Sequence, residues 1–237
     1  MPGASSRGNL HATLGPRSLR ALVEVDSPAW PGLEDAFAGA RNGVEVLPRD
    51  AARSAATLDA LQVTAQSTLG AVAYETGGLL IDRGWIRLLG GGCERGEGLA
   101  DWNGLAETPQ LDGASGLFIV GYDLIGGFFA LDGAAGGEAI YFAPDTLGWD
   151  RLERGYTGLV HFLLQADLDA YYPLRWRAWE SEAAEVPFDH ALSLYPPPFM
   201  KEGKDLSRVS RRAVPARELW ALGQDFASQL GGPGEPD

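Results

Sequence analysis

The chain reads as an α+β protein: an antiparallel or mixed sheet with a central meander, covered by helices, plus an added C-terminal helix. Three observations predict this class. Residues 116–149 contain three short apolar runs, 117–120, 128–131 and 140–143, each rich in aromatic and β-branched residues and closed by Gly, Asp or Pro. Their connections hold Gly126-Gly127, then Asp132-Gly133 and Gly136-Gly137, residues that supply tight turns and positive φ. Segments on both sides have the three-to-four-residue apolar spacing of helices. Strands this apolar cannot face water on both sides, so the helices are expected to cover them.

Taken in order, residues 1–18 are small and polar without period, and are expected to form a disordered tail. Leu19, Leu22 and Val23 begin a short helix. Ser27 and Pro28 predict the cap and first position of a second, which presents Trp30, Leu33, Ala36 and Phe37. Residues 44–48 read as a strand closed by Pro48, and Asp50 as the cap of a helix reaching Leu61. Over 68–76 either helix or strand is conceivable. The spacing of Leu69, Val72, Ala73 and Thr76 favours helix, capped by Ser67 and stopped at Gly77. Residues 79–82 and 85–89 form a hairpin around Arg83-Gly84 that extends the meander.

Residues 90–115 hold seven glycines and read as loop, anchored by Trp102. A helix over 157–168 offers Leu159, Phe162 and Leu163 to the sheet. A further helix over 174–185 turns Trp176, Trp179 and Ala183 inward and Glu180, Glu182 and Glu185 outward. A last strand spans 192–195. The expected domain is thus 19–199, followed by a charged linker (200–214), a helix (215–230) opened by Pro215, and a disordered tail (231–237).

Composition narrows the functional classes. The 19 basic and 32 acidic residues leave a net charge of −13, which disfavours nucleic acid and anionic membranes and admits a basic protein partner. Between 201 and 217, six basic residues face only two acidic ones. That segment can fold back onto the acidic body or serve as a solvated linker. No run of about 18 apolar residues exists, and the N-terminus lacks a secretory h-region, so cytoplasmic residence is the expectation. The lone Cys93, within Gly-Gly-Gly-Cys, cannot form an internal disulfide and reads as a spare surface thiol.

No catalytic motif emerges. Ser115 lies in G-A-S-G-L, which lacks the second glycine of a nucleophile elbow, and the only histidines are His11, His161 and His190. No metal-binding spacing and no phosphate loop occurs, so no metal and no cofactor is assigned. Asp82, Asp123, Asp132, Asp145 and Asp150 all fall at strand ends. They read chiefly as turn formers that bond their own backbone, with a carboxylate cluster at one rim of the sheet as the alternative. Most of the seven tryptophans belong to a core, while one or two at a rim can floor a groove.

The runs V-E-V-L-P (44–48), E-T-G-G-L-L-I-D-R-G-W-I-R-L-L-G (75–90), G-G-F-F-A-L (126–131) and Y-F-A-P-D-T-L-G-W (141–149) resemble bacterial domain-of-unknown-function family 2625. The resemblance spans roughly residues 19–199 and implies no catalytic residues. More distantly, the order of helix, Gly-Gly turn, strands and helix is similar to the SUKH (Smi/Knr-like) superfamily, many of whose members are immunity proteins that bind toxins. That likeness implies helices packed on a sheet and a protein-binding role.

Two functions are therefore carried forward. The first is a non-enzymatic module, immunity-type or otherwise, whose acidic surface, with Glu180, Glu182 and Glu185, covers a basic partner. The second is a pocket at the sheet rim, near Asp82, Trp85, Asp123, Tyr141, Asp145 and Trp149, that binds or hydrolyses a small molecule. A flat acidic face favours the first; a deep, mostly apolar concavity with converging polar groups favours the second.

Overall fold

The computed structural model describes residues 15–105, 116–173 and 175–230. Seven strands, β1 (Val44–Leu47), β2 (Gly78–Ile81), β3 (Ile86–Leu89), β4 (Leu117–Asp123), β5 (Phe128–Asp132), β6 (Glu138–Ala143) and β7 (Gly148–Arg151), pair in sequence order into one sheet. Every pairing is antiparallel. In such a meander alternate turns fall on the same rim. The β2–β3, β4–β5 and β6–β7 turns therefore lie together, and with them Asp82, Asp123 and Asp145.

Register sorts the aromatics onto two faces. Tyr122 lies opposite Phe128, Phe128 opposite Phe142, and Phe142 opposite Trp149, which puts all four rings on one face. One residue along, Gly121, Phe129, Tyr141 and Asp150 form the matching row on the other. A bulge between Ile119 and Gly121 adjusts β4 between its two ends.

The first face is closed by three rings from elsewhere. Trp102, from helix α5 (Leu99–Trp102), packs on Tyr122 and Phe128. Phe188 meets Tyr122, whose hydroxyl donates to the Phe188 carbonyl. Trp220 meets Phe128, Phe142 and Trp149 from the C-terminal helix α9 (Ala216–Gln229). The second face is covered by α6 (Tyr156–Gln165), which buries Leu159, Val160, Leu163 and Leu164. Helices α2 (Trp30–Ala38) and α4 (Thr68–Glu75) back it, with the Thr157 hydroxyl donating to Thr68 Oγ1 at 2.9 Å.

Several expectations hold in detail. Asp50 caps α3 (Ala51–Leu61) by accepting from the amides of Ala52 and Arg53. Ser67 caps α4 through the Gly70 amide, so residues 68–75 are helical. The short α1 (Leu19–Val23) and the start of α9 after Pro215 also agree. Residues 1–14, 231–237 and Ser115, the sites of the tail and failed-elbow expectations, lie outside the described residues.

Others are corrected. The cap of α2 is Ala29, without a side-chain bond, because Pro31 rather than Pro28 occupies the first turn. The expected helix over 174–185 begins only at Trp179. Ala178 is left-handed (φ 66°) ahead of α8 (Trp179–Glu185), and Leu168–Tyr171 forms a separate turn, α7. Trp149 belongs to the unforeseen β7. The segment expected as a linker is folded: β9 (Ser210–Pro215) pairs along β8 (His190–Tyr195). Arg211 binds Glu182 at 2.7 Å and Arg217 binds Glu97 at 2.5 Å, so the basic segment lies on the acidic body.

Cys93 is buried rather than exposed. The preceding glycines permit close packing: a Cβ on Gly91 would stand 2.5 Å from the Ala73 carbonyl oxygen and 2.4 Å from Ser54 Oγ. No helix among the described residues is long and apolar enough to cross a membrane.

Candidate functional site

The rim shared by the three turns carries a cleft of about 430 Å³. Trp85 from the β2–β3 turn, Tyr141 and Ala143 from β6, and Pro144 and Asp145 from the following turn line one side. Tyr171, Tyr172, Pro173 and Arg175 approach from the chain between α6 and α8. Asp150 and Lys204 complete the charged part of the lining. A cleft of this size and aromatic character lies within the usual range for small-molecule sites.

Two polar arrangements build its wall. In the first, Asp123 is fully buried at the end of β4 and accepts from Gly127 N at 2.8 Å and Ile125 N at 3.0 Å. Its other oxygen accepts from the Tyr141 hydroxyl at 2.6 Å. Gly127 makes this possible, since a Cβ there would sit 2.1 Å from the Tyr141 hydroxyl and 2.4 Å from Asp123 Oδ2. Burial raises the Asp123 carboxyl above its usual range, opposed by these hydrogen bonds. Burial, reinforced by the Asp123 charge, holds the Tyr141 and Tyr172 phenols well above theirs.

In the second arrangement the Arg175 guanidinium lies 4.4 Å from the ring centroids of both Trp85 and Trp179, which themselves meet edge-to-face at 5.0 Å. Its Nη1 binds Asp82 at 2.8 Å and Asp169 at 2.9 Å. The Arg175 and Asp82 side chains are 6% and 8% exposed, so this pair is buried. Asp82 also borders a second hollow of about 380 Å³, beside Arg41, Asn42 and Asp167. Tyr172 and Trp176 pack on the other edges of Trp85.

Three residues of the lining carry polar atoms that are buried without a hydrogen-bond partner: Trp85 Nε1, Tyr172 Oη, and Arg175 Nε and Nη2. The Tyr172 hydroxyl is near enough to Asp123 to favour its ionised form, yet falls short of hydrogen-bond geometry. Buried donors left unpaired are costly, and native proteins keep few of them. Here four of the eight such atoms among the described residues belong to residues of this lining, each with under 1 Å² of accessible surface. The lining includes no Ser, Thr, Cys or His; its ionisable groups are Asp145, Asp150, Arg175, Lys204 and the tyrosines 141, 171 and 172.

The site residues expected from sequence divide clearly. Trp85, Tyr141 and Asp145 line the cleft, Asp123 supports it through Tyr141, and Asp82 supports it through Arg175. Trp149 does not join them; it lies on the opposite face against Phe142 and Trp220. Asp123 and Asp132 are turn formers, Asp132 accepting from the amides of Ala134 and Ala135 at the far rim.

The acidic helix also divides. Glu185 is exposed and Glu180 stands 3.6 Å from Arg83. Glu182 does not face outward freely: it accepts from Trp176 Nε1 at 2.8 Å and binds Arg211. Sequence pattern does not single out Tyr172, Arg175 or Lys204. The signal that was present is the run Y-Y-P-L-R-W-R-A-W (171–179), where arginines alternate with aromatic rings on which a guanidinium can stack.

Fold and site thus define an antiparallel-meander α+β protein with an aromatic cleft at one rim. The family described as "Protein of unknown function DUF2625" matches residues 19–219, and the chain belongs to that family. Among its relatives is the uncharacterized protein YbfG of Escherichia coli (strain K12), 34% identical over 212 residues, covering 87% of this chain and 95% of that one. An uncharacterized protein of Haemophilus influenzae (strain ATCC 51907 / DSM 11121 / KW20 / Rd) is 34% identical over 176 residues, 72% of this chain and 77% of its own. No solved structure matches, and the more distant SUKH likeness is not shown by these comparisons.

Proposed function

We propose that the chain is a small-molecule-binding protein whose site is the cleft at the sheet rim. The observation that carries this reading is the cleft of about 430 Å³ itself, where aromatic rings meet the charged groups Asp145, Asp150 and Lys204. The rings of Trp85, Tyr141 and Tyr171 supply the apolar walls on which a ligand body packs. The charge-steered binding of a basic protein, immunity-type or otherwise, is the alternative, and what supports it is the net charge of −13.

The test is a thermal-shift screen of the full chain with neutral, cationic and anionic fragments, repeated with Ala143→Phe. Ala143 lies on β6 two residues from Tyr141, hence on the same face, and its enlargement fills the cleft. Fragments are expected to raise the melting temperature of the natural chain and not of the filled variant. Fragments that stabilise both proteins equally, or none that stabilises the natural chain, would refute the cleft as the site.

A further inference from the structure

The groups of the cleft that present accessible surface decide what it can hold. Tyr171, Pro144 and Asp145 are half-buried, while Asp150 and Lys204 are exposed. The Arg175 side chain is only 6% exposed, and its Nη1 is committed to Asp82 and Asp169 at 2.8 and 2.9 Å. We infer that the ligand is a small organic ammonium, its charge met by Asp145 and Asp150 and its body packed on Tyr171; this rests on the binding role proposed for the cleft.

Charge favours a cation. Asp82 and Asp169 together bring one negative charge more than Arg175 neutralises. Asp145 and Asp150 outnumber Lys204, the other cation of the lining, and add a second. Neither Asp145 nor Asp150 forms an ion pair among the described residues. An anion entering the cleft meets net repulsion, whereas an ammonium supplies the missing countercharge. Its N–H groups also donate to carboxylate oxygens, which can only accept when ionised.

The aromatic wall suits the same ligand. Tyr171 meets Tyr141 at 64° and Tyr172 at 80°, edge to face, with centroids 6.1 and 4.9 Å away. Tyr141 and Tyr172 are buried, so Tyr171 is the ring of the three that keeps accessible surface. An aromatic face attracts a cation through its quadrupole, a gain that a neutral or anionic head does not have. Asp150 lies opposite Tyr141 in the β6–β7 register, on the face of the sheet that carries the cleft rings. Its charge acts on Tyr171: burial, and then Asp150, push that phenol up to about 12. Ring and carboxylate thus belong to one site, and a cation is the ligand that both attract.

Isothermal titration of the full chain with 3-phenylpropylamine, 3-phenylpropanol and 3-phenylpropionate, which share one body and differ in charge, tests the inference. The amine is expected to bind, the alcohol roughly tenfold more weakly and the acid more weakly still. Asp145→Asn combined with Asp150→Asn keeps the shape of both side chains and removes their charges. This double variant should weaken the amine by roughly threefold to tenfold. Tyr171→Leu keeps an apolar side chain without the quadrupole and should weaken it by roughly threefold or more; the double variant carries the test if Tyr171→Leu fails to fold. Asp59→Asn removes an exposed acid on α3, outside the lining, and should leave the amine's affinity unchanged. An alcohol or acid that binds as well as the amine, and loses its affinity in Ala143→Phe, would leave the cleft a binding site and overturn the ammonium. Amine binding that ignores the double variant, or is weakened as much by Asp59→Asn, would also overturn it. Failure of the amine to bind at all overturns the ammonium alone, since the cleft itself is judged on fragments of every charge.

Discussion

The two faces of the sheet carry similar numbers of aromatic rings and use them differently. On the face of Tyr122, Phe128, Phe142 and Trp149, the rings are locked by Trp102, Phe188 and Trp220, and the one buried tyrosine hydroxyl there reaches a carbonyl. On the other, Tyr141, Tyr172 and Trp85 surround space, and two of the three leave a polar atom unpaired. The first face is a filled core, although Arg87, opposite Tyr122, also keeps a buried Nε without a partner. The second has the same materials arranged around a gap, which is the signature of a site rather than of packing alone.

The largest expected effect breaks the closed face. Phe128 is fully buried among Trp102, Tyr122 and Trp220, so Phe128→Ala should cost about 3–5 kcal/mol in a denaturant titration. A change under about 1 kcal/mol would mean that this face is not the core.

Two tyrosines sharpen the contrast. Tyr122→Phe strands the buried Phe188 carbonyl and should cost about 1–3 kcal/mol. Tyr172→Phe removes a hydroxyl that has no partner and should change stability by less than about 0.5 kcal/mol in either direction. Equal losses in the two variants would show that the faces do not differ in this way. A smaller difference separates two glutamates of α8. Glu182→Lys disrupts the contacts to Trp176 and Arg211 and should cost about 1 kcal/mol or more, while Glu185→Lys should stay within about 0.5 kcal/mol.

The buried acid gives a pH dependence. Because burial raises Asp123 in the folded state, its contribution to stability is fully present below the unfolded carboxylate pKa. That contribution is lost as pH rises through the folded pKa. Asp167 and Asp205 are shifted the other way by their hydrogen bonds, so the natural chain must be compared with Asp123→Asn rather than read alone. The melting temperature of the natural chain should fall relative to the variant as pH rises from the ordinary carboxylate range. A difference that stays flat with pH would contradict the raised value.

Much of the fold was legible because its signals are local. Asp50 and Ser67 announce their helices by capping chemistry, and the Gly-Gly and Asp-Gly turns announce the meander. The rim was legible one step further, since alternate turns of a meander must meet, which brings Asp82, Asp123 and Asp145 together. Arg175 was not, because it lies in irregular chain and its partners Asp82 and Trp85 are distant in sequence. Trp149 was misplaced for a related reason. Its face follows from pairing with Phe142 in β7, and the mixed run Gly148–Arg151 has neither the apolar content nor the alternation that marks a strand. The basic segment 201–217 likewise reads as a linker until β9 finds its partner in β8.

The most direct measurement follows the side-chain N–H resonances of the tryptophans and arginines by nitrogen–proton correlation spectroscopy while a fragment that stabilises the chain is added. The cleft account predicts that Trp85 Nε1–H and Arg175 Nε–H move to saturation together, with Trp102 and Trp220 on the closed face left in place. Resonances of Trp102 or Trp220 that move while Trp85 and Arg175 stay still would place binding elsewhere and contradict the account.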